Sequence, residues 1–243
     1  MSHTLGARQA QKLKTRRALL DAGLRLLEDQ SLSSLGLREV TRVVGVAPAA
    51  FYRHFRDMSD LGVALVEESL GSLHAMVRVI LAEQDGDEER IDATVEAVAE
   101  HVRRYPAHVR FIARERHGGV RPVREAIAAE LARFTDEAAE AFAPQLTGEG
   151  WSPEDVRMLA QLYVDHMVMT AAAFLEAQTE DPGAGDPGVG DPEAVSAGDP
   201  EAVRAGDPEA VRAGDSEAVR RVAATARRQL LLISLGRHHW RTA

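Results

Sequence analysis

Residues Leu37 to Phe55 read LREVTRVVGVAPAAFYRHF. Two short helical patterns meet in this stretch. Leu37, Val40, Val44 and Val46 fit one apolar face of a helix that runs into a turn. Gly45 stands where a tight helix–helix turn needs a residue tolerant of positive φ, and Pro48 suits the first position of the following helix. Phe51 and Phe55, four residues apart, pack back onto a core. Ala49, Ala50, Arg53 and the polar edges of Tyr52 and His54 then face outward. A second helix with small residues at its N-terminal end approaches a major groove closely, and cationic and hydroxyl side chains beside it hold phosphates.

The segment upstream supports this reading. A helix expected from about Gln9 to Asp29 carries Lys12, Lys14, Arg16 and Arg17 near its start, enough to neutralise further backbone phosphates. Residues 1–60 hold ten Lys/Arg against six Asp/Glu, whereas the remainder holds 19 against 32, and the whole chain of 243 residues has a net charge of −9. A basic first quarter joined to an acidic remainder suits one part that meets a polyanion and another that does not.

Beyond this stretch the apolar residues recur with a period near 3.6, and Ala, Leu, Arg and Glu dominate. The fold class is therefore all-α, with about nine helices. After the two in the quoted stretch (37–44 and 48–55), these run from about 59 to just before Asp85, 89–105, 107–117, 120–146, 153–178 and 217–240. A low-complexity tract lies at about 180–216. Gly190–Ala197 reads GDPEAVSA, Gly198–Ala205 and Gly206–Ala213 read GDPEAVRA, and Gly214–Arg221 reads GDSEAVRR. Each unit offers an Asp N-cap, a Pro (Ser in the last copy) at the first helical position and a Gly terminator, but too little apolar surface to stack as a solenoid. The tract reads as an expanded insertion in a surface loop.

Composition excludes several classes. Hydrophobic residues make up 45%, enough for a real core, and there is no cysteine, so no disulfide, thiolate metal site or cysteine nucleophile. No uninterrupted apolar run approaches the ~18 residues of a membrane span. The polar, basic N-terminus shows no secretory h-region, so a cytoplasmic protein is expected. HExxH, GxSxG, Walker and GxGxxG patterns are missing, which speaks against an enzyme. His238-His239 beside Trp240 is a poor metal site, and His166 reads as a core or pocket histidine. No cofactor is expected.

These residues carry a resemblance. Thr15-Arg16-Arg17, Leu37-Arg38-Glu39-Val40, Gly45-Val46-Ala47-Pro48, Phe51 to Phe55 and Asp57 to Leu61 are similar to the DNA-binding domain of the TetR family of bacterial repressors. The YxHF core at Tyr52, His54 and Phe55 is specific to that family. Within it, APxxFYRHFRD, the REV segment and Arg114-Glu115-Arg116 followed by glycine most resemble the fatty-acid repressors of the FabR/DesT subgroup. Gln229 to Trp240 is similar to that subgroup's last helix. Three positions depart from the pattern. Ala49 and Ala50 replace Thr and Ser. Gly36 replaces the capping Ser, at a cost of about a few tenths of a kcal/mol. The octamer insertion is foreign to the subgroup.

The resemblance implies a three-helix helix-turn-helix domain at 9–58 and a helical effector-binding and dimerisation domain at 59–243. The implied DNA contacts are Lys14, Arg16, Arg17, Arg38, Ala47, Pro48, Ala49, Ala50, Phe51, Tyr52, Arg53 and His54. Tyr52 and His54 would touch phosphates, Arg38 the backbone from the preceding helix, and Arg53 with the Ala47–Ala50 end the base edges. The implied partners are a palindromic double-stranded operator and a second copy of the chain. The effector is a small hydrophobic molecule, with long-chain acyl-CoA or an acyl thioester inferred from the subgroup alone; a drug or signalling lactone is the alternative. Met76, Val102, Phe111, Phe134, Tyr163 and Met167 read either as pocket lining or as core. Arg114 and Arg116 read either as holders of an anionic head or as an internally paired face. The broad apolar surfaces of 153–178 and of Leu230 to Leu235 read as a four-helix dimer interface or as ordinary core. A repressor of fatty-acid or desaturase genes is the function implied, with an adaptor that uses the octamers as a further alternative.

Overall fold

Good helix formers fill the chain outside its loops, and the described backbone is helical, with no strand among the described residues. The computed structural model describes residues 2–71, 73–82, 87–180 and 216–240. Ten helices run through them: α1 Ser2–Leu26, α2 Leu37–Val44, α3 Pro48–Phe51, α4 Met58–Gly71, α5 Leu73–Ala82, α6 Asp87–Arg104, α7 Pro106–Glu115, α8 Arg121–Gly148, α9 Pro153–Glu180 and α10 Glu217–His239. The octamer repeats lie outside the described residues.

The chain divides into two compact units. The first comprises residues 1–72 and 105–133, so it takes in α7 and the first half of α8 as well as the segment 9–58. Here α1 packs on α2, α4 and α7, α2 on α3, and α4 on α7. Leu19, Leu27, Leu61, Leu65, Val40, Phe51, Phe111 and Ile127 are buried. Truncating a buried Leu to Ala in such a core costs about 2–5 kcal/mol.

The second unit comprises residues 73–104 and 134–243. In it α9 packs on α6 and α10, α10 on α6, and α5 on α6. Leu146, Trp151, Val156 and Leu159 form one buried cluster, with Tyr163 and Phe142 at its edge. Local capping explains two helix starts. Ser152 Oγ accepts the Asp155 N–H at 3.1 Å, and Ser216 Oγ accepts that of Val219 at 3.3 Å.

Three boundaries differ from the periodicity. The first helix begins at Ser2 rather than near Gln9, although Ser2, His3, Thr4 and Gly6 are weak helix formers. The long helix expected from 59 is described in two pieces on either side of residue 72. The second helix of the quoted stretch ends at Phe51 instead of Phe55. By length and composition alone, α9 is apolar enough over Pro153–Thr179 to cross a membrane, which a search for uninterrupted apolar runs does not detect.

Candidate nucleic-acid interface

The turn between α2 and α3 is built on Gly45, which adopts φ 73° and ψ 28°. The Gly45 N–H donates to Arg42 O at 3.2 Å and the Val46 N–H to Thr41 O at 3.0 Å, closing the helix end. A Cβ at Gly45 would meet nothing within 4 Å, so backbone conformation alone demands glycine there. Ala47 is extended at φ −68° and ψ 147°, as a residue before proline prefers. After α3 the chain tightens: the His54 N–H donates to Phe51 O at 2.8 Å, a three-residue spacing that explains the short helix.

This geometry sorts the expected contacts. Phe51 is fully buried, with its ring 5.5 Å from that of Phe55, so it supports the reading helix from below and presents nothing to a ligand. Ala47, Pro48, Ala49, Arg53, Arg38, Lys14 and Arg17 are exposed, and Ala50, His54 and Arg16 are half-buried. Tyr52 is 63% exposed, held edge-on against Phe51 at 5.9 Å. An aromatic ring left this open beside a buried one places its hydroxyl at the surface, where a phosphate can accept its hydrogen bond.

The cations at this tip are not equivalent. Arg16 stacks its guanidinium 5.1 Å from the Phe55 ring centre. Arg56 is spent on Asp60, donating from its backbone N–H and its guanidinium, both at 2.9 Å. That pairing holds the Asp60 carboxyl below its usual range. The His54 ring nitrogen Nδ1 is buried without a hydrogen-bond partner. Desolvation lowers the His54 pKa, and the positive charges of Lys12, Arg16 and Arg53 lower it further. Such a clustering of positive charge around His54 suits phosphates.

Glu39 was not among the expected contacts, yet it organises the start of α2. Its Oε1 accepts the Gly36 N–H at 3.4 Å and its Oε2 accepts Gln30 Nε2 at 3.2 Å. Half of a capping box therefore survives the loss of the Gly36 hydroxyl.

The expected effector residues divide between the two units. Phe111, Arg114 and Arg116 belong to the first unit, and Val102, Phe134, Tyr163 and Met167 to the second. Arg114 follows the second of its two readings, the internally paired face. Its guanidinium donates to the backbone oxygens of Leu27 and Gln30 at 2.8 Å and Glu28 at 3.1 Å, so the donors are spent on the end of α1. Arg116 closes α7 and is half-buried. Phe111 and Val102 are buried. Phe134 stacks on His74 at 4.0 Å, and His74 Nδ1 lies 2.9 Å from Glu137 Oε1. Tyr163 packs on Phe142 at 5.5 Å. Met167 is half-buried on α9, and the Met76 side chain lies outside the described residues. A groove of about 440 Å³ that periodicity does not reveal runs between α9 and α10, lined by His166, Met169, Thr170, Ala173, Arg221 and Gln229 among others. His166 Nε2 is buried there without a partner, and burial lowers its pKa.

Residues 19–65 match the bacterial regulatory proteins of the tetR family. An uncharacterised HTH-type transcriptional regulator of Haemophilus influenzae is 40% identical over 136 residues, 56% of this chain and 66% of that relative. The match thus spans just under two thirds of the relative's length. Among solved structures, a protein of Syntrophomonas wolfei assigned to the TetR family aligns over 90% of this chain and 95% of its own, with a TM-score of 0.59 and 14% identity. The transcriptional regulator FadR of Bacillus subtilis, solved with stearoyl-CoA, aligns over 68% of this chain and 89% of its own, with a TM-score of 0.57 and 13% identity. At these identities the structures speak for the fold alone. Residues 19–65 thus form a helix-turn-helix segment similar to that of the tetR family, within an all-helical fold shared with the Syntrophomonas wolfei protein.

Proposed function

We propose that the chain is a cytoplasmic homodimeric repressor that reads a palindromic DNA operator with the Ala47–Arg53 tip. The observation that carries this reading is the exposed tip itself. Small side chains at Ala47, Ala49 and Ala50 leave room for a major-groove approach, and Tyr52, Arg53 and Arg38 stand beside them. Two copies would read half-sites about 34–36 Å apart or a multiple of the helical turn. The dimer reading is supported by apolar side chains left open on one unit. Met158, Leu162 and Met169 on α9 are 49%, 50% and 68% exposed, and Leu232 and Leu235 on α10 are 68% and 59% exposed. Large apolar groups at this density on two packed helices suit a four-helix interface.

The effector reading is a long-chain acyl-CoA or acyl thioester that governs fatty-acid or desaturase genes. It is supported by the resemblance of the APAAFYRHFRD segment to the FabR/DesT subgroup and by the fold shared with a regulator that binds stearoyl-CoA. One observation favours a second reading. Arg114 is committed to backbone oxygens, which removes one of the two cations meant for an anionic head and suits an uncharged hydrophobic effector.

An electrophoretic shift with the full chain on the DNA upstream of its own gene tests both. A salt-sensitive specific shift that differs between palmitoyl-CoA and oleoyl-CoA supports the acyl sensor. A shift indifferent to both keeps the repressor and discards that effector. Absence of a specific shift on any genomic duplex overturns the reading.

A further inference from the structure

We infer that Arg114 on α7 is a positioning residue for DNA binding, acting on α2 through Gln30 and Glu39, while Glu115 holds the same link at Leu32; the inference rests on the repressor reading above. The start of α2 lacks one side-chain anchor, because its N-cap is Gly36, and relies on Glu39 for the other half of the box. The link from Leu27 to Leu35 is instead gripped from α7. Arg114 donates to three backbone oxygens of this link, those of Leu27, Glu28 and Gln30. Glu115, 1% exposed, accepts the Leu32 N–H at 2.8 Å. Four hydrogen bonds between segments more than 80 residues apart in sequence fix the link far more tightly than a loop closed by its own turns.

Gln30 then passes the hold on. Its carbonyl oxygen accepts from Arg114, and its side-chain amide donates to Glu39 Oε2 on α2 at 3.2 Å. Glu39 Oε1 in turn accepts the Gly36 N–H. Arg38, beside Glu39, points outward on the same short helix. The path from α7 to the DNA-facing side of α2 therefore runs through three side chains and one backbone carbonyl. Two further features show that the grip is built. A Cβ at Gly118 would collide with Glu115 Oε2, so the turn after α7 closes over the carboxylate only with glycine. Leu32 is 2% exposed, and a Cβ at Gly62 on α4 would run into its side chain. The planar guanidinium is what lets one residue serve three acceptors, which a lysine ammonium cannot copy in the same geometry.

The test is a double-mutant cycle on the full chain. Arg114→Ala, Gln30→Ala, Glu39→Gln and the pair Arg114→Ala/Glu39→Gln are compared in affinity for a duplex selected by the wild-type chain, at fixed salt. Expected is a loss of about tenfold for Arg114→Ala, with the pair no weaker than its worse member within about twofold. Additive losses, or a folded Arg114→Ala chain that binds within about twofold of wild type, overturn the inference. Gln30→Ala leaves the Arg114 bonds in place and keeps the test open where Arg114→Ala does not fold. Hydrogen exchange at the α2 amides is read in the same variants and needs no DNA. Exchange about tenfold faster in α2, with α4 unchanged, supports the relay, and unchanged α2 exchange overturns it. A wild-type chain that selects no duplex overturns the repressor reading, and the exchange data still decide the relay.

Discussion

The guanidinium of Arg17 on α1 lies 3.9 Å from the carboxylate of Glu68 on α4. Arg17, expected at a phosphate, is in the free protein already turned toward an anion of its own chain. Burial raises the Glu68 pKa above its ordinary value; Arg17 opposes the rise and Asp21 adds to it. A carboxyl whose pKa is raised on folding binds its proton more tightly in the folded chain. Its contribution is therefore a penalty that is absent at low pH and grows as pH rises through the raised value. Glu68→Gln is expected to unfold at a higher temperature than wild type at pH 7.5. The gain is under about 1 kcal/mol for so exposed a pair, or at most about 2–4 °C, and it shrinks as pH falls toward 4. Thermal unfolding at both pH values checks this; a lower midpoint at pH 7.5 would show that the Arg17 pairing outweighs the burial.

Gly45 makes a cleaner case. Its positive φ is demanded by the turn, and no atom stands where a side chain would go. Gly45→Ala should cost about 1 kcal/mol and Gly45→Asn less, because asparagine tolerates the left-handed region. Gly45→Val should cost the most. Chemical denaturation of the three variants gives the order. Equal losses for Asn and Val would mean that packing, not φ, sets the requirement.

Tyr52 and Arg53 separate two kinds of contact. Tyr52→Phe removes a hydroxyl and nothing from the core, and should weaken binding of all duplexes alike by about 1 kcal/mol. Arg53→Ala, if the side chain reads a base edge, should cost about 1–3 kcal/mol on the selected operator and relax preference at one position. If it holds a phosphate, the loss is uniform and the salt slope falls by about one unit. Binding isotherms on matched and mismatched duplexes at several salt concentrations distinguish these outcomes.

Local chemistry was readable where it was decided locally. Gly45, Pro48 and the Phe51–Phe55 pair follow from turn geometry and helical spacing over a few residues, and the structure places them as that spacing requires. Contacts across more than 80 residues leave no such periodic trace. Arg114 and Arg116 read either as holders of an anionic head or as an internally paired face, because nothing in their neighbourhood announces the carbonyls and the Leu32 amide that Arg114 and Glu115 bind. The groove between α9 and α10 depends likewise on which helix faces pair. Phe51 shows the reverse difficulty: a motif shared with DNA-binding proteins names it, whereas its burial gives it a supporting role.

The open apolar groups of the second unit predict an assembly defect. Leu232→Glu and Met169→Glu each replace a side chain that is 68% exposed, so neither should unfold the isolated chain by more than about 0.5 kcal/mol. Combined, they should convert a dimer to a folded monomer in light scattering and weaken operator binding by at least about tenfold, since one half-site remains. An unchanged dimer mass would move the interface elsewhere.

His54 predicts a pH dependence of DNA binding. In the free chain desolvation first, then Lys12, Arg16 and Arg53, hold its pKa below the ordinary 6.5. It is therefore neutral at pH 7. A phosphate brought near the ring adds the negative charge that the free site lacks and raises the pKa. Binding then takes up a proton in the window between the two values, and affinity rises as pH falls through it by up to about tenfold per pH unit for each histidine. The stability of the free protein is expected to follow the opposite trend. A histidine whose pKa is lowered on folding contributes stability that is present above 6.5 and is lost as pH falls toward the depressed value. Acid should thus tighten the complex while it loosens the free chain. Titrations between pH 8 and 5.5 with wild type and His54→Asn check this. The variant should lose most of the pH dependence of binding, and a variant that keeps the wild-type profile would assign the proton to another group.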